Sequence, residues 1–78
     1  MDSNHYASAV AANIETARRQ SGLTKLSLAA SSGIPRTSLD RKLNGRGDFT
    51  VREITALATA LGTTPHALVT TRDVSAAA

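Results

Sequence analysis

Residues 22–45 read GLTKLSLAASSGIPRTSLDRKLNG, and this stretch decides the fold. Thr24 is a cap residue at the start of a short helical run. Leu23 and Leu28 flank it at the spacing that lets an entering residue pack on the first turns. Gly33 stops that run. Pro35, with its φ held near the helical value and no N–H to satisfy, opens a second helix that extends to about Asn44. Leu39 and Leu43, four residues apart, form the buried stripe of this second helix. Two short helices joined by a tight glycine-containing turn make a helix-turn-helix unit. Because such helices cross steeply, the crossing needs a small side chain, and Ala29 supplies one. Gly33 provides the unusual backbone angle, Ile34 fills the gap after it, and Leu28 and Leu39 face inward.

The chain on either side keeps the helical period. Upstream, Tyr6, Val10, Ile14 and Ala17 recur on one helix face. Asp2, Ser3 or Asn4 can cap the start of that helix, Arg18 and Arg19 lie in its last turn, and Gly22 ends it. Downstream, Gly45-Arg46-Gly47-Asp48 is a loop by composition. Thr50-Val51-Arg52-Glu53 is a capping box, with Phe49 and Ile54 at the flanking apolar positions. Ile54, Leu57, Ala58 and Leu61 then repeat until Gly62. Thr64-Pro65 opens a fifth helix holding Leu68 and Val69. No segment has a strand period. The expected fold is all-α, a compact bundle of five short helices with the helix-turn-helix at helices 2 and 3. A single domain is expected over residues 1–70, with residues 71–78 as a flexible tail that has little to bury.

Composition narrows the function. The chain has 78 residues, enough for one small core, and no cysteine, which excludes disulfide staples, thiolate metal sites and cysteine nucleophiles. Tyr6 and Phe49 are its only aromatic residues, and both read as core pieces. No basic start followed by an apolar run marks a secretory peptide, and no apolar stretch approaches membrane-spanning length, so a soluble, cytoplasmic protein is expected. His5 and His66 lie at opposite ends without a ligand-spaced partner. No serine has an acid–base pair at recognisable spacing, and no glycine-rich phosphate motif appears. No metal, cofactor, small-molecule ligand or enzymatic activity is expected.

Leu23-Thr24, Leu28-Ala29, Gly33-Ile34, Leu39, Asn44-Gly45 and Leu61-Gly62, in this order and spacing, resemble the lambda-repressor-like family, the Cro and repressor type of phages and many bacterial regulators. The resemblance covers about residues 6 to 70, and the Pro-Arg-Thr-Ser-Leu-Asp-Arg-Lys-Leu wording also looks like small regulators of actinobacterial phages. Lys25 stands where the family usually carries Gln, Ser32 where an apolar residue is more frequent, and Lys42 where an aliphatic one is common. The resemblance implies binding to a double-stranded DNA operator.

Charge placement agrees with that expectation. Eight of the nine Lys and Arg residues lie between positions 18 and 52, where Asp40 and Asp48 are the only acids, so this window carries +6 and the remainder −3. A cationic window laid over a helix-turn-helix suits a line of phosphates. With Leu39 and Leu43 facing in, Thr37, Arg41 and Asn44 point away from the core, Asp40 lies at the edge, Ser38 is on the other side, and Arg36 projects from the first turn. Arg36, Thr37 and Arg41 are the leading base readers, since a recognition helix enters the major groove by its N-terminal half. Ser38 and Asp40 are secondary candidates, with Asp40 suited to cytosine N4 or to holding Arg36 or Arg41. Lys25, Asn44 and Arg46 are candidate phosphate contacts, joined by Lys42, whose stem can cover the core edge. Arg18, Arg19 and Arg52 read equally as phosphate contacts or as ordinary surface charges.

The function expected is therefore sequence-specific DNA binding by a transcriptional repressor or Cro-like regulator acting by operator occlusion. The alternatives are the N-terminal part of a longer phage immunity repressor, or an antitoxin- or adaptor-type protein-interaction module. A weak homodimer could use helix 5 and the tail, through Leu68, Val69 and Val74.

Overall fold

The computed structural model describes residues 3–70, with side chains from residue 7 onward. Five helices follow in order: α1 (Ser3–Ser21), α2 (Lys25–Ser32), α3 (Arg36–Leu43), α4 (Val51–Leu61) and α5 (Pro65–Val69). The described residues contain no strand. Asp2, the side chains of Ser3, Asn4 and Tyr6, and the tail at 71–78 with Val74 lie outside what is described, and with them the expected cap of α1.

The start signals act as their chemistry requires. Thr24 accepts the Ser27 N–H at 3.0 Å and Thr64 accepts the Ala67 N–H at 3.2 Å. At α4 the capping box is complete: Thr50 Oγ1 accepts from Glu53 N–H at 3.0 Å, and Glu53 Oε1 accepts from Thr50 N–H at 2.9 Å. Pro35 sits one position earlier than expected. It is the cap of α3, not its first helical residue, at φ −55° and ψ 139°. A cap residue is extended, which a proline satisfies without giving up a helical bond.

The stop signals depend on backbone angles open to glycine. Gly33 lies at φ 76° and donates to Ala29 O at 3.0 Å, closing α2. Gly45, at φ 82°, ends α3: Gly45 N–H reaches Lys42 O at 3.0 Å and Arg46 N–H reaches Arg41 O at 3.0 Å. This paired pattern satisfies two carbonyls that the helix leaves open and turns the chain away.

The core contains Val10, Ala11, Ile14, Leu28, Ala29, Ile34, Leu39, Leu57, Ala58 and Leu68. Leu23, Leu43, Phe49, Ile54 and Leu61 pack around it, half-buried. α2 rests on α3 and α4, while α1 meets α3, α4 and α5. Leu68 corrects the expected dimer surface. It is 2% exposed and belongs to the core, so helix 5 cannot present it to a second copy. Asn13 explains how so short a helix is held: its Nδ2 donates to Leu68 O at 2.9 Å and Thr70 O at 2.7 Å, tying the end of α5 to α1.

Candidate nucleic-acid interface

α3 presents one face to the core and one to solvent. Leu39 is fully buried, and Leu43 packs half-buried beside it. Arg36, Thr37, Asp40, Arg41 and Asn44 are exposed, as is Arg46 just beyond the helix, and Ser38 is half-buried. The outward positions of Thr37, Arg41 and Asn44 thus follow the helical spacing, whereas Asp40, expected at the edge, is exposed, and Ser38, expected on the other side, is half-buried.

The cations divide into two groups. Among the described residues, Arg36, Arg41, Arg46 and Arg52 make no ion pair. Others are committed inside the fold. Arg18 donates through Nε to Glu15 Oε2 at 3.1 Å, through Nη2 to Glu15 Oε1, and through Nη1 to Leu23 O at 2.7 Å. With its side chain 16% exposed, Arg18 clamps the turn between α1 and α2. Arg19 stays exposed, its Nε 3.5 Å from Glu15. Lys42, 13% exposed, places Nζ 2.7 and 2.8 Å from the two Glu53 oxygens, with the ammonium 6.0 Å from the centre of the Phe49 ring. Its stem covers the core edge as expected, but its amine closes on α4 instead of standing open to a phosphate.

These contacts act on the carboxylates. Arg18 hydrogen bonding holds Glu15 below its ordinary value against partial burial, with Arg19 and Lys25 adding in the same direction. The Arg18 guanidinium is raised in turn by the bond to Glu15. For Glu53, burial pushes the carboxyl up, but hydrogen bonds from Lys42 and Thr50 outweigh it and the net shift is downward.

Lys25 and Asp40 form a link across the helix-turn-helix, with Lys25 Nζ 3.2 Å from Asp40 Oδ1. Asp40 was expected to hold Arg36 or Arg41 if it held any cation. It holds the first residue of α2 instead, which leaves both arginines free of it. Sequence reasoning missed the roles of Glu15 and Glu53 as counter-charges. The three- and four-residue spacings from Glu15 to Arg18 and Arg19 carried the first signal, whereas the contact between Lys42 and Glu53 joins separate helices and has no local one. Leu26 was also missed: it is 59% exposed and lines a shallow groove with Ile34, Pro35 and Arg36 at the start of α3.

The helix-turn-helix domain pattern matches residues 9–70, most of the chain. The chain belongs to the helix-turn-helix domain family. Solved structures agree with the arrangement of this helix-turn-helix domain. The restriction-modification controller protein C.AhdI of Aeromonas hydrophila is 27% identical, with a TM-score of 0.76 over 80% of this chain and 94% of that one. A hypothetical transcription factor, NHTF, from Neisseria is 20% identical, with a TM-score of 0.82 over 99% and 90% of the two chains. An HTH_3-family transcriptional regulator from Vibrio cholerae is also 20% identical, with a TM-score of 0.78, and the match covers 83% of this chain but 36% of that one. No curated protein matches the chain. The similarity to the lambda-repressor-like type thus extends from sequence pattern to fold. Helix-turn-helix domains of this type bind DNA in transcription regulation, which places the chain among DNA-binding regulators and not among enzymes. No helix among the described residues is long and apolar enough to cross a membrane.

Proposed function

We propose that this helix-turn-helix domain is a sequence-specific repressor or Cro-like regulator that seats α3 in the major groove of an operator and blocks polymerase by occupancy. The observation that carries this reading is the outer face of α3. It exposes Arg36, Thr37 and Arg41 together, and neither arginine is drawn into an ion pair among the described residues. Arg36 and Arg41 suit guanine O6 and N7, and Thr37 suits a thymine methyl or a base edge. Asn44 and Arg46 at the end of α3, and Lys25 at the start of α2, suit flanking phosphates and fix the register. Arg18 and Lys42 act through the fold, by holding the turn before α2 and the end of α3. Arg19 contributes only diffuse positive field. The operator-bound protein works in the bacterial cytoplasm.

The match to part of a longer Vibrio regulator favours a second reading, in which the same domain is the DNA-binding part of a longer repressor. The groove chemistry is the same in both. Selection of binding sites from random duplexes tests the proposal. Enrichment of a defined site whose affinity falls steeply with salt supports it. A palindromic consensus assigns a dimer, and an asymmetric one a monomer. Absence of enrichment, with tight salt-insensitive association to a protein instead, refutes it.

A further inference from the structure

Asp40 is the only acid on α3, and it stands on the same exposed side of the helix as the arginines. An aspartate so placed repels phosphates and weakens every DNA complex, specific or not. Its partner is equally informative. Lys25 opens α2, where its ammonium and the helix N-terminus both suit a phosphate, yet Nζ is turned to Asp40 at 3.2 Å. Glu15 on α1 also lies within electrostatic range of Lys25. The two partners retain 38% and 53% of their side-chain exposure, so the pair is wet and exchangeable.

We propose that Asp40 is a specificity-determining residue that controls the phosphate contact of Lys25. The inference rests on the reading of α3 as the recognition helix. On DNA that offers Asp40 no donor, the carboxylate keeps the Lys25 ammonium, and one phosphate goes without its cation. Where a cytosine N4 amino group faces Asp40, the carboxylate accepts from the base and Lys25 turns to the phosphate strand. One base is thereby read twice, directly by Asp40 and again through the charge that Asp40 releases. Non-specific binding is held down by the same pair.

The experiment measures binding of the full chain to its selected site and to an unrelated duplex over a salt series, for wild type, Asp40→Asn, Lys25→Met and the double variant. Asp40→Asn keeps the side-chain shape and removes the charge. It should strengthen binding to the unrelated duplex about five- to tenfold near 0.1 M salt and steepen its salt slope by about 0.9, the contribution of one phosphate contact. It should also erase a cytosine preference from the selected site. Lys25→Met should weaken the selected site while barely changing the unrelated one, and in its background Asp40→Asn should no longer steepen the salt slope. Unfolding midpoints and circular dichroism, unchanged in all three variants, separate these effects from loss of fold. If Asp40→Asn leaves non-specific affinity and slope unchanged, or if Lys25→Met weakens both duplexes equally, the inference is overturned while the DNA-binding reading stands. If the wild type enriches no site at all, both fall.

Discussion

Arg41 and Lys42 are adjacent in the chain and have opposite fates. Arg41 projects from the exposed face of α3 without an ion-pair partner among the described residues. Lys42 turns inward, crosses to α4 and binds both oxygens of the carboxylate that also completes the α4 capping box. A second enclosed region repeats the pattern, with Arg18 closing on Glu15 and on the Leu23 carbonyl. Sequence charge is thus divided by the fold into an open outer face of α3 and two closed clamps. A cation in a clamp stabilises the helix arrangement, whereas one on the open face is free to meet DNA.

The strongest test of this division removes what both regions share. Leu39→Ala should cost about 2–5 kcal/mol, because Leu39 is fully buried on the inner face of α3. In so small a domain this unfolds most of the population, read by chemical denaturation, and takes DNA binding with it. Next in size, Arg41→Ala should weaken the selected operator by roughly 1–3 kcal/mol and relax preference at one base pair. Its unfolding midpoint should stay within about 0.5 kcal/mol of wild type, as for other exposed substitutions.

Lys42→Met should show the reverse. Leaving half-buried Glu53 without its partner should lower stability by about 1 kcal/mol, while the salt slope of DNA binding stays unchanged. Arg46→Ala, by contrast, should reduce that slope by about 0.9. A reduced slope in Lys42→Met would show that the clamp opens on DNA and would erase the distinction.

The smallest expected effect is pH-dependent. Glu15 and Glu53 are held below the ordinary 4.5 in the folded state. Their contribution is therefore complete above the unfolded value and is lost as pH falls through the lower folded values. Stability should decline below about pH 4.5, and Glu53→Gln should flatten part of that decline in acid-denaturation curves. An unchanged acid profile in this variant would mean that the α4 clamp contributes little.

The local features were legible because their physics is local. Thr24, Thr50 and Thr64 cap helices through bonds to residues three positions on, and Gly33 and Gly45 end helices through their own backbone angles. The exposed face of α3 followed from 100° per residue once Leu39 was fixed inside. Leu68 was misjudged because an apolar residue on a short helix reads alike whether it faces a core or a partner. Its burial in the core shows that it faces inward, and the Asn13 bonds to the Leu68 and Thr70 carbonyls, more than fifty residues away, fix α5 in that place. The pairing of Asp40 with Lys25 was hidden for the same reason: it spans two helices, and only their crossing brings the charges together.

By itself, the sequence determined five helices, the caps of α2, α4 and α5, the glycine ends of α2 and α3, the helix-turn-helix and the outward side of α3, all consequences of short-range backbone and packing rules. The tertiary structure decided which charges remain available. Long, flexible Arg and Lys side chains take whichever carboxylate or carbonyl the fold brings within reach, and that choice exists only after the helices have packed.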